Sequence, residues 1–107
     1  MLSELQTQIA DLIAENSKGA NALYEAEAKL AEAEYELDTV EQKAFIGAEG
    51  TVADRQAIAR LKAADARLQR DLRKAEFNRV KIKINQIQTA LMALGTQAKL
   101  MGVESKW

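Results

Sequence analysis

Arg60, Arg67, Lys74 and Lys81 recur at every seventh position, and Arg70 lies beside that row. At about 100° per residue on a helix, the five fall within a strip about 80° wide. Such a row of cations has the form needed to track a phosphate backbone. The row also lies away from Leu61, Leu68 and Leu72, which would turn it toward solvent if those leucines face a core.

The same charges have a structural reading. Residues 1–50 hold eleven Asp/Glu and three Lys/Arg, a balance of −8, whereas residues 51–107 hold five and twelve, a balance of +7. With the chain folded back near residue 49, Glu25, Glu27, Glu32, Glu34, Glu36 and Glu41 would flank Arg55, Arg60, Lys62, Arg67, Arg70 and Arg73. Opposite charges along a seam select antiparallel partners and register. Exposed pairs contribute roughly 0–1 kcal/mol each, so they supply specificity more than stability. Pairing is the favoured reading, because no aromatic residues interleave with the cations to stack on bases. The net charge of −1 also gives nucleic acid no overall attraction.

Other chemistry is sparse. The absence of Cys removes disulfides, thiolate nucleophiles and Cys-based zinc sites. The absence of His removes the commonest general base and transition-metal ligand. Glu27, Glu34 and Glu41 are spaced along one helix face, but di-iron bundles pair inward Glu with Glu-x-x-His, so a solvated face is the expectation. Gly47 and Gly50 lack the spacing of a phosphate loop, and no Lys-Ser or Lys-Thr follows. No enzyme activity, cofactor or metal is therefore expected.

The elements that carry these residues are helices. Twenty of the 107 residues are Ala, which favours helix and close approach of helix axes, and there is no Pro to interrupt one. With position a at Leu2, a heptad runs to Gly47. Its a positions are Leu2, Ile9, Asn16, Leu23, Leu30, Leu37 and Ala44, and its d positions are Leu5, Leu12, Gly19, Ala26, Ala33, Val40 and Gly47. All but Asn16 are apolar or Gly, a coiled-coil pattern. Ser3 and Gln6 suggest a capping box, and Gly47 suggests a C-terminal cap. The run Asn16 to Asn21 has the composition of a turn, yet the heptad keeps its phase, which predicts a continuous helix with a soft point. Asn16 then serves as a buried register device, or marks a place where the helix frays.

After Gly50, Thr51-Val52-Ala53-Asp54 reads as a cap with an acid three residues on. The second apolar stripe begins with Ile58, Leu61, Leu68, Leu72 and Ala75. From Phe77 it shifts phase to Val80, Ile84, Ile87, Leu91, Leu94, Ala98 and Met101, which would rotate the sticky face around the helix. Leu23, Leu30, Leu37, Leu61, Leu68, Leu72, Ile84, Ile87, Leu91 and Leu94 are the expected seam.

The prediction is an all-α fold with a single domain over residues 1–107: helix 3–46, turn 47–51, helix 52–101 and tail 102–107. Two matched helices with a short link require an antiparallel hairpin, coiled-coil-like in its packing. Two helices alone cannot enclose a core, so self-association is expected, most simply as a dimeric four-helix bundle. Phe45 and Ile46 form a small apolar patch at the tip. Trp107 is either a partner anchor or part of a frayed tail. No apolar stretch approaches the ~18 residues of a membrane span, and Met1 to Gln8 lacks the regions of a signal peptide. A cytoplasmic protein without membrane contact is expected.

The run Tyr35 to Leu72 contains Lys43-Ala44-Phe45, Glu49-Gly50-Thr51-Val52-Ala53-Asp54-Arg55 and Ala63-Ala64-Asp65-Ala66-Arg67-Leu68. It resembles small helical proteins of tailed bacteriophages and prophages that carry a Gly-Ser/Thr-Val-Ala-x-Arg turn between Ala/Glu-rich helices. The resemblance covers about a third of the chain, with the turn as its specific part. It implies a phage accessory protein acting in the host cytoplasm, with a link to phage DNA replication or recombination, and it carries over no functional residues. Three functions follow as expectations. One is an oligomeric module contacting nucleoprotein or DNA through Arg60, Arg67, Arg70, Lys74 and Lys81. The second is an inhibitor that blocks a host defence or replication protein, and the third is a structural coiled coil.

Overall fold

The computed structural model describes residues 2–101. The chain is all-helical over them: α1 spans Leu2–Gly47, α2 Val52–Lys62 and α3 Ala64–Leu100. Helical hydrogen bonds bracket the irregular residue between α2 and α3. Ala63 N donates to Ala59 O at 3.0 Å, and Arg67 N donates to Ala63 O at 2.9 Å.

Two compact units divide the chain, Met1–Tyr24 with Arg79–Trp107, and Glu25–Asn78. In the first, Leu5 and Ile9 of α1 are buried against Ala98 of α3, with Leu2, Leu91 and Leu94 packed around them. Gly19 of α1 comes so close to α3 that a Cβ there would stand 3.0 Å from Ile84 Cγ1. This contact accounts for the unbroken helix through Asn16 to Asn21, since packing overrides weak local propensity. Asn16 is half-buried, and its Oδ1 is enclosed with no hydrogen-bond partner among the described residues.

In the second unit the buried side chains are Ala26, Ala59 and Ala63. Its linking segment is built from local chemistry. Gly50 adopts φ 112°, a region open to residues without Cβ, and a Cβ there would also meet Asp54 Oδ2 at 3.0 Å. Thr51 then caps α2. Asp54 N donates to Thr51 Oγ1 at 3.1 Å, and Thr51 N donates to Asp54 Oδ2 at 3.3 Å, a reciprocal capping box.

Several expectations need correction. α1 already includes Leu2 and Ser3, so Ser3 is no N-terminal cap, and its carbonyl accepts from Thr7 Oγ1 at 2.9 Å. Gly47 is the last residue of α1, and the left-handed conformation falls at Gly50 instead. The expected helix 52–101 is divided at Ala63. Leu61, Leu68 and Leu72 are 78%, 55% and 54% exposed and so are not buried in a seam as expected. Covered positions along residues 55–98 include Ala59, Ala63, Ala66, Arg70, Arg73 and Phe77 in the second unit and Val80, Ile84, Ile87, Leu91, Leu94 and Ala98 in the first, with Arg55, Ile58, Arg67, Glu76, Ala90 and Gly95 also half-buried. The twelve named first keep a 4-3 spacing through Phe77, where the leucines alone suggested a change of phase.

The glycines give a sharp test. Gly50→Ala should destabilise the protein by about 1 kcal/mol or more, through its positive φ and the contact with Asp54. Gly95 lies within α3 with open space where a Cβ would sit. Gly95→Ala should therefore stabilise by roughly 0.5–1 kcal/mol. Thermal or urea unfolding followed by circular dichroism checks both signs.

Candidate interaction surfaces

The position of the leucines decides where the basic row points. Because Leu61, Leu68 and Leu72 face outward, the opposite side of α2 and α3 turns toward α1. Arg67, Arg70 and Arg73 are accordingly half-buried, while Arg60, Lys74 and Lys81 are exposed. The expected solvent-facing strip is therefore split in the second unit: Arg60 and Lys74 are exposed as expected, whereas Arg67 and Arg70 are half-buried.

Arg67 Nη2 lies 4.0 Å from Glu41 Oε2, an ion pair joining α1 to α3, and Arg67 Nη1 donates to Arg60 O at 3.4 Å. Arg70 Nε instead donates to its neighbour Asp71 Oδ1 at 2.7 Å. Arg73 Nη1 donates to Glu76 Oε2 at 3.4 Å, one turn along the same helix. The charge asymmetry of the sequence thus meets across the helices at Glu41 and Arg67, whereas Arg70 and Arg73 take acids from their own segment. With side chains still 28% and 38% exposed, the Glu41–Arg67 pair contributes at most about 1 kcal/mol.

Arg55 has a role that its spacing did not reveal. The last turn of α1 contains no basic residue to complement its carbonyls. Arg55 of α2 supplies one: Nε donates to Phe45 O at 3.2 Å, and the guanidinium stands 4.4 Å from the Phe45 ring centroid. Phe45 is half-buried by this stacking and Ile46 remains 74% exposed, so the expected tip patch reduces to one residue. The clue in sequence was the lack of a cation at the end of α1 followed by Arg in the first turn of α2.

Of the other expected seam residues, Leu23, Leu30, Leu37, Ile84, Leu91 and Leu94 are half-buried and Ile87 is buried. Glu27 and Glu34 are exposed, Glu41 is committed to Arg67, and no group of acids among the described residues is arranged to hold a metal ion. The surface recesses are open grooves. One in the second unit, of about 470 Å³, is lined by Glu41, Gln42, Phe45, Gln56, Ala59 and Arg60. One in the first unit, of about 340 Å³, lies between Gly19 and Ile84. Neither brings a nucleophile and a base together. Trp107 lies outside the described residues, and no helix among those residues is long and apolar enough to cross a membrane.

No protein-family model matches the chain, and neither characterised proteins nor solved structures show a match. The phage resemblance therefore rests on the Tyr35 to Leu72 run alone.

Charge reversal tests the cross-helix pair. Glu41→Lys and Arg67→Glu should each lower stability slightly, and the double variant should recover part of the loss. The coupling energy from urea unfolding should be below about 1 kcal/mol and shrink in high salt.

Proposed function

We propose that this protein is a non-enzymatic, self-associating helical module that works by binding other protein surfaces. The observation that carries this reading is the mismatch between core and surface. Among the described residues the buried side chains are Leu5, Ile9, Ile87 and four alanines. Twelve large hydrophobic residues meanwhile stay exposed, including Ile13, Tyr24, Tyr35, Leu61, Leu68 and Leu72. A small helical chain with so thin a core gains much of its stability from further burial, and association supplies it.

Within this reading the chain is an antiparallel hairpin. Leu5 and Ile9 beside Ala98, Gly19 beside Ile84, and Phe45 beside Arg55 all fit that arrangement. The smallest assembly that covers the remaining faces is a dimer, a four-helix bundle. The resemblance of Tyr35 to Leu72 suggests a phage accessory role in the host cytoplasm, with a replication, recombination or defence protein as the partner. Direct nucleic-acid contact is the weaker reading, because Arg67 and Arg70 of the basic row are half-buried and paired with acids.

Two measurements test the proposal. Light scattering should give a mass at a multiple of 11.8 kDa, and a stable monomer at high concentration would overturn self-association. Fluorescence anisotropy with labelled single- and double-stranded DNA should show no binding at physiological salt. Tight binding with a steep salt dependence would move the function to nucleoprotein.

A further inference from the structure

We infer that Arg67 makes the break between α2 and α3, and that Ala63 is a hinge. Its two states are the divided segment, with Arg67 anchored, and one continuous helix over residues 52–100, with Arg67 released. Both states belong to a single chain, whatever its assembly.

Little in the local sequence ends a helix at this point. Residues 51–94 contain neither Pro nor Gly. Apart from Asp65, residues 59–68 are all Ala, Arg, Leu or Lys, which are strong helix formers. Ala63, which stands between the two helices, offers no side-chain oxygen to cap α3. Its backbone nevertheless leaves the helix, at φ −90° and ψ 5°. Among the causes of such an interruption, a side chain inserted into the hydrogen-bond ladder is the one present. That side chain is Arg67.

Ending α2 at Lys62 leaves its last carbonyls without amides of their own helix. Ala59 O takes Ala63 N at 3.0 Å, but the next carbonyl, Arg60 O, takes Arg67 Nη1 at 3.4 Å. The same guanidinium places Nη2 4.0 Å from Glu41 Oε2 on α1. Arg67 N donates to Ala63 O at 2.9 Å, so this residue holds both sides of the break. A planar fork can reach a carbonyl and a carboxylate together, which the single nitrogen of a lysine does poorly. Closing the break would restore a backbone bond to Arg60 O and give up both contacts of the guanidinium. One hydrogen bond against one hydrogen bond and an exposed ion pair is a close balance, so changes at Arg67 should tip it.

Nuclear magnetic resonance reads the hinge residue by residue in dilute solution. In the wild type the Ala63 Cα shift should lie below the helical values of Ala59 and Ala66. The amides of Ala64, Asp65 and Ala66, which open α3, should exchange faster than those of Arg70 and Arg73. Arg67→Met keeps an apolar stem and removes the donors, so the Ala63 shift should move to the helical value. Protection of the Ala64 amide should rise roughly fivefold to tenfold, the equivalent of one net hydrogen bond. Arg67→Lys should do the same with the charge kept, and Glu41→Gln should move Ala63 part of the way. Circular dichroism shows whether each variant is folded, and if Arg67→Met is not, Arg67→Lys decides. A helical Ala63 in the wild type would overturn the inference. So would a break that persists in the folded Arg67 variants, which would mean that burial of Ala59 and Ala63 sets it instead.

Discussion

The constraint on which the rest depends is the alanine seam of the second unit. Ala26, Ala59 and Ala63 are its buried side chains, and Ala59 and Ala63 are at most 2% exposed. A methyl group removes little apolar area from water, so such a contact fixes close approach without supplying much free energy. The leucines that would normally supply it, Leu61, Leu68 and Leu72, sit on the other side of the same segment. The first unit is built differently, with Leu5, Ile9 and Ile87 buried among its helices. Both units leave large hydrophobic side chains exposed, among them Ile13, Ile82 and Met92 in the first and Leu61, Leu68 and Leu72 in the second.

The same arrangement governs the charges. Arginines fill positions between and beside the seam alanines, where their alkyl stems can cover apolar surface and their guanidinium groups still reach water or an acid. Arg67 reaches Glu41, while Arg70 and Arg73 settle on Asp71 and Glu76. A row that reads as a cationic track in one dimension is divided in the fold, with Arg67 and Arg70 half-buried and Arg60, Lys74 and Lys81 exposed. Arg55 extends this logic to the linking segment, where one guanidinium completes the end of α1 and covers Phe45.

Much of this was legible in the sequence and some was not, for identifiable reasons. Every a and d position of the first heptad from Leu2 to Ala44 is buried or half-buried, because α1 uses ordinary aliphatic residues at a constant period. The Thr51–Asp54 cap was readable because its chemistry is local. The seam of α2 was not readable by hydrophobicity, since Leu outranks Ala and Arg on any such scale, yet here Ala and Arg face inward. The apparent change of phase at Phe77 came from following the leucines. Following Ala59, Ala63 and Ala66 gives one unbroken repeat into Val80 and Ile84. Composition alone reads Asn16 to Asn21 as a turn, but the unbroken heptad phase predicts the continuous helix that α1 forms there, and Gly19 lets it approach Ile84.

The central claim is that this chain completes its core by association. The concentration dependence of thermal unfolding tests it most directly. If folding and assembly are coupled, the unfolding midpoint rises steadily with protein concentration, as mass action requires. An unfolding midpoint that stays constant from dilute to concentrated solution, with a fully helical monomer, would contradict the account.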